Sequence, residues 1–62
     1  MKVFNVEGMM CNNCKKHVEE ALEKLNIDFE VSLEEKKAYI KSEIEDDRVI
    51  KAIEDAGYEA YL

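Results

Sequence analysis

The sequence predicts an α+β fold of the ferredoxin-like type, βαββαβ, with a four-stranded antiparallel sheet and two helices on one face. Three observations carry that prediction. Ile27-Asp28-Phe29-Glu30-Val31-Ser32-Leu33 alternates apolar and polar without a break, the period-two signature of a strand with one buried side. Two segments instead repeat their apolar residues at helical spacing, Cys14, Val18, Ala21, Leu22, Leu25 and then Val49, Ile50, Ile53, each a single apolar stripe. The order is strand, helix, two strands, helix, strand, which interleaves as a split β-α-β pair. A sheet covered on one side only is what makes strand alternation sharp.

Lys2 to Glu7 alternates with Phe4 and Val6 on one face and Val3, Asn5 and Glu7 on the other, and Gly8 ends it in a turn. The first helix is expected from about Asn12 to Leu25, with Lys15, Lys16, Glu19, Glu20, Glu23 and Lys24 turned mainly to water. Asn12 or Asn13 suits its N-cap, and Asn26 suits the left-handed position at its end. Glu34-Glu35-Lys36-Lys37 reads as a polar turn, and Ala38-Tyr39-Ile40-Lys41 as the return strand, with Ala38 and Ile40 sharing a face with Phe29, Val31 and Leu33. The second helix should run from about Asp46 to Ala56. Asp46 and Asp47 suit the positive end of its dipole, and Gly57 stops it. Tyr58 to Leu62 is a last short strand.

Composition narrows the class of function. Sixty-two residues make one domain, 1–62. Hydrophobic residues at 47% and charged residues at 39% indicate a folded chain rather than a disordered one. No apolar run approaches the roughly 20 residues of a membrane span, and the first residues turn polar at once, unlike a signal peptide. The expectation is a cytoplasmic, monomeric protein, and a chain starting at Met1 and finishing with its last strand suits a free protein. Fifteen acids against nine bases give a net charge of −6. That excess argues against nucleic acid, which requires clustered Lys and Arg.

The chemistry gathers at Gly8-Met9-Met10-Cys11-Asn12-Asn13-Cys14, which holds both cysteines. Strand precedes it and helix follows, so the two thiols sit at a helix N-terminus, where unpaired N–H groups and the macrodipole favour a negative charge. The thiolate is the form that binds metal or attacks sulfur. Thiolates select Cu(I), Zn(II) or iron–sulfur clusters over hard cations. A closed zinc site needs about four protein ligands and an iron–sulfur cluster four cysteines, whereas this chain offers two cysteines and one histidine. Two thiolates leave a soft ion open to an incoming ligand. The competing reading is a redox dithiol in which Cys11 attacks a disulfide and Cys14 resolves it. The chain has no proline or tryptophan, so it lacks the cis-proline that thioredoxin-like enzymes place beside such sulfurs.

Neighbouring residues divide between site and scaffold. Met9 is a soft side chain more apt to fill the core under the loop than to ligate, and Met10 is expected at the surface. Lys15 and Lys16 offset the charge of a bis-thiolate site and favour ionised sulfur, or form a solvated helix face. His17, one turn beyond Cys14, reads as a surface residue, with a third-ligand role under zinc as the alternative.

Gly8-Met9-Met10-Cys11-Asn12-Asn13-Cys14 resembles the G-M-x-C-x-x-C signature of heavy-metal-associated domains, the copper chaperones and N-terminal modules of copper-transporting P-type ATPases. The similarity continues through Val18, Ala21 and Leu22 to Ile53-Glu54-Asp55-Ala56-Gly57-Tyr58, and Gly57-Tyr58 is more like the bacterial chaperones. Met10 stands where the family often has Thr or Ser, and the hairpin turn lacks the usual glycine. The resemblance implies a Cu(I) metallochaperone, not an enzyme, with Cys11 and Cys14 as ligands in nearly linear coordination. It implies handover by ligand exchange to a copper-transporting P-type ATPase or its metal-binding domain, with a metal-bridged dimer as a variant of the monomer. It also implies that the loop of Tyr58 lies beside the cysteines; there the ring is expected to shield the metal and the hydroxyl to reach the thiolates, with plain core packing as the alternative. Zn(II), Cd(II) or Hg(II) on the same fold is the further alternative. Zinc-selective relatives tend to place a carboxylate near the cysteines, and here Glu7 is the nearest acid.

Overall fold

The computed structural model describes residues 1–62. Its elements are β1 (Lys2–Glu7), α1 (Asn12–Glu23), β2 (Phe29–Ser32), β3 (Lys37–Ile40), α2 (Asp46–Asp55) and β4 (Glu59–Tyr61). The four strands form one antiparallel sheet in the order β2-β3-β1-β4, the expected ferredoxin-like arrangement.

Register puts the apolar residues in rows. Phe4 lies opposite Ala38, which lies opposite Val31, and Val6 lies opposite Ala60. These five join Ile40 of β3, Met9 of the loop after β1, Val18 and Leu22 of α1, and Val49 and Ile53 of α2 in one buried cluster. Each large side chain removed from water there contributes about 1.5–3 kcal/mol. Lys2 pairs with Ile40 at the margin of this face. Its ammonium reaches Asp46 at 2.5 Å, tying the start of the sheet to the first turn of α2.

The termini of elements depart from expectation. Helix α1 ends at Glu23 rather than Leu25. The N–H groups of Leu25 and Asn26 bond back three residues, to Leu22 and Glu23, which tightens the last turn before Asn26 takes φ 56°. The Asn12 and Asn13 caps are not used. Cys11 is the N-cap, extended at φ −153°, and no side chain caps the helix. Ile27 and Leu33 fall outside β2. Asp28 is held instead by its N–H to Ser42 Oγ at 2.8 Å and by its carbonyl to the Lys41 N–H at 2.8 Å. The polar turn sits one residue earlier than expected, because Lys37 already pairs with Asn5 and Ser32. Lys36 supplies the left-handed residue there, φ 57°, where a glycine would be strain-free. Tyr58 precedes β4 and stays in the loop after Gly57, whose φ of 100° stops α2.

Candidate metal centre

Gly8 turns the chain out of β1 with φ 93°, a region that disfavours any side chain. A Cβ there would touch the Tyr58 ring at 3.4 Å, an ordinary contact, so the backbone angle rather than space calls for glycine. Met9 then plunges to full burial while Met10 beside it is 76% exposed. This pair of adjacent methionines pins the loop on one side and leaves the next residues at the surface.

Cys11 is exposed and Cys14 half-buried, both as free thiols with Sγ atoms 3.4 Å apart. Cap position and first helical turn place them on the same side of the N-terminus of α1. That turn contains no acidic residue, so the positive end of the helix has no carboxylate competing with sulfur for it. No group of three or more His, Cys, Asp or Glu side chains that could enclose an ion forms anywhere in the molecule. The arrangement is a two-sulfur site open to solvent.

Tyr58 stands across from Cys14. Its hydroxyl is the main cause that draws the Cys14 thiol down from the usual value to about 7, followed by a hydrogen bond from the Met10 backbone and the Cys11 side chain, against the opposing effect of burial. The same contact pushes the Tyr58 phenol up to about 12, as expected of a donor beside a developing anion. The hydrogen-bond partner of the hydroxyl is His17 Nδ1, 3.3 Å away.

The sequence profile of the heavy-metal-associated domain matches residues 3–59. The chain belongs to the heavy-metal-associated domain family. The domain is 41% identical over 63 residues to a protein of Staphylococcus haemolyticus named copper chaperone CopZ, covering 94% of this chain and 93% of that one. It is 42% identical over 59 residues to a mercuric reductase of Lysinibacillus sphaericus, covering 90% of this chain but only 11% of the reductase. Its backbone superposes with TM-score 0.87 on a copper-binding domain from the P-type ATPase HMA7, at 31% identity over 95% of this chain and 86% of that one.

Of the residues singled out by sequence, the domain brings Cys11, Cys14 and Tyr58 to one end of the sheet, above the buried Met9. Lys15 is half-buried on the first turn and Lys16 exposed; neither is among the groups acting on the Cys14 thiol. His17 is exposed, as expected, but sequence reasoning missed its contact with Tyr58. Forty-one residues separate the two, and no local pattern signals a contact that exists only once the α2–β4 loop folds beside α1.

Proposed function

We propose that this domain is a copper(I) carrier in which Cys11 and Cys14 hold the ion as thiolates and pass it to a pair of thiols on a partner. The observation that carries the reading is the pair of free sulfurs 3.4 Å apart at the N-terminus of α1, Cys11 exposed and Cys14 half-buried, with no third ligand beside them. Soft thiolates favour Cu(I), and a low coordination number leaves an approach open to a competing sulfur. The relatives named for copper, one a chaperone and one a P-type ATPase domain, support copper as the cargo and a copper-transporting P-type ATPase or its metal-binding domain as the receiver. Handover between two such sites is ligand exchange: one partner sulfur joins the metal, one domain sulfur leaves, and the exchange repeats. No bond is oxidised or reduced, so the reading is a carrier and not an enzyme. A monomer acting in the cytoplasm fits this role, with two copies bridging one ion through four sulfurs as a variant. No helix is long and apolar enough to cross a membrane.

The site must widen to load. With a metal–sulfur distance of about 2.3 Å, as for thiolate on zinc, linear coordination needs sulfurs about 4.6 Å apart. The observed 3.4 Å falls short by roughly 1.2 Å. Cys11 at the cap, rather than Cys14 inside the helix, is the sulfur free to make that movement. Tyr58 and Met9 hold the other side in place.

The mercuric reductase relative favours a second reading, Hg(II) as cargo, because two thiolates do not by themselves separate the two soft ions. Anaerobic titration of the reduced domain against a competing chelator separates them, with Cu(I) and Hg(II) as parallel arms. X-ray absorption on the loaded protein counts the sulfurs. The expected result is one Cu(I) bound by two sulfurs and loss of uptake in the Cys11→Ser, Cys14→Ser double variant. Uptake surviving that double substitution, or no uptake by the native chain, overturns the reading.

A further inference from the structure

The end of the sheet nearest the cysteines carries a second feature, which the two sulfurs do not use. A depression of about 560 Å³ opens between the end of β1, the β2–β3 turn and Tyr61, and it shares Gly8 and Met10 with the loop that leads to Cys11. Its walls are of two kinds. Met10 and Tyr61 are large apolar side chains left in water, 76% and 47% exposed. Glu7 and Glu35 are carboxylates, each turned by a tyrosine hydroxyl: Tyr61 donates to Glu7 at 2.9 Å, and Tyr39 donates to Glu35. A phenol occupies one of the roughly four acceptor positions of a carboxylate, and neither acid forms an ion pair. Lys36 lines the same depression without reaching either of them.

An apolar wall beside an acidic one is the complement of an arginine side chain. The aliphatic stem packs on apolar surface, while the planar guanidinium pairs with carboxylates and stacks on an aromatic ring. The net charge of −6 points the same way, since it draws in a basic surface and repels an acidic one. The groove between α1 and α2 has no such bias. Glu20 stands four residues before Lys24 there, and Lys51 four before Asp55, so its charges can satisfy one another along each helix.

We propose that this depression is a docking subsite for an arginine of the partner protein, its stem on Met10 and Tyr61 and its guanidinium between Glu7 and Glu35. Because Gly8 and Met10 also belong to the thiol loop, a partner that brings its sulfurs to Cys11 covers the depression in the same approach. The exposed Met10 thereby acquires a use without ligating the metal. The subsite rests on the carrier reading for the identity of that partner. Its recognition of a guanidinium is independent of copper.

Two measurements on the full chain test it. In the first, the reduced, metal-free domain is titrated under NMR with N-acetyl-arginine methylamide and, separately, with its uncharged citrulline isostere. The arginine probe should move the amide signals of Gly8, Met10 and Lys36, with an affinity about fivefold or more above that of the citrulline probe. Glu7→Gln and Glu35→Gln should each weaken it about two- to fivefold, and Lys36→Gln should strengthen it. Glu43→Gln, an equal change of charge at an exposed position outside the depression, should leave it within about twofold. Equal binding of the two probes, or equal losses from Glu43→Gln and Glu7→Gln, overturns the subsite. The second measurement is Cu(I) retention against a chelator, which should be the same in Glu7→Gln, Glu35→Gln and the native chain. A loss there assigns the carboxylates to the metal loop and overturns the docking role. Failure of the native chain to bind Cu(I) sinks the carrier reading alone, and the arginine titration still decides the subsite.

Discussion

Each half of this fold feeds a strand into a helix through a short loop, and the two loops were built for opposite ends. Lys41 to Glu45 leads into α2, whose first turn carries Asp46 and Asp47, with Asp46 further tied to Lys2. Gly8 to Cys11 leads into α1, whose first turn carries no acid and whose cap is a thiol. Neither helix has a side-chain cap bond. Each loop sinks one apolar residue, Ile44 half-buried and Met9 fully. The shared geometry is therefore scaffold, and the difference is where the negative charge at the helix start comes from. In α2 it is permanent and structural. In α1 it is left to sulfur, which is neutral or charged according to pH and cargo. A site that must accept and release a cation has to keep that position free of carboxylate.

The comparison can be broken hardest through the part both halves share. Leu22→Ala in α1 and Ile53→Ala in α2 each empty a fully buried position and should cost about 2–5 kcal/mol in urea unfolding. Similar losses from both would show that the two helices carry the core alike, and a much smaller loss from Leu22→Ala would show that α1 is only docked. Gly8→Ala tests the first loop alone. It forces a side chain into φ 93° and should cost about 1–3 kcal/mol, with copper retention falling alongside stability.

Protonation sharpens the contrast further. Cys14 titrates at about 7 in the folded chain against 9.0 for an ordinary thiol. A folded value lower than the unfolded one stabilises fully above about 9 and fades as pH falls through about 7. Metal-free stability should rise from pH 7 to pH 9, and Tyr58→Phe should flatten that rise while moving the thiolate absorbance transition to higher pH. An unchanged transition would remove Tyr58 as its principal cause. The smallest effect comes from exchanging the charge between the two loops. Asn12→Asp with Asn13→Asp should stabilise the metal-free domain by about 0.3–1 kcal/mol and raise the Cys14 value, while Asp46→Asn with Asp47→Asn should destabilise it by a similar amount. Thermal unfolding at low salt measures both, and raised copper retention in the first variant would refute the charge argument.

Much of this was legible in the sequence because the sheet is covered on one side. Phe4 and Val6, or Val31 with Ala38 and Ile40, had to alternate with residues of the outer face, and they did. The ends were less legible, since caps and turns are settled by a few competing hydrogen bonds. Two asparagines advertised a cap that Cys11 took, and Lys36 accepted the left-handed angle with no glycine to signal it. At the site, the two sulfurs were plain from spacing and chemistry. The position of Tyr58 followed only from resemblance, and its partnership with His17 followed from neither. Lys15 looked like the natural influence on the thiols by proximity in sequence, yet the groups that lower the Cys14 thiol are a phenol from the far end of the chain, the backbone of its own loop and the Cys11 side chain.

Met9 gives the site a fixed footing. Because that side chain is wholly enclosed while the following residues lie at the surface, the movable part of the binding loop is confined to a few residues around Cys11. On the carrier reading, a partner drawing on a sulfur deforms that arc and leaves the interior undisturbed, so release of the ion requires no loosening of the fold.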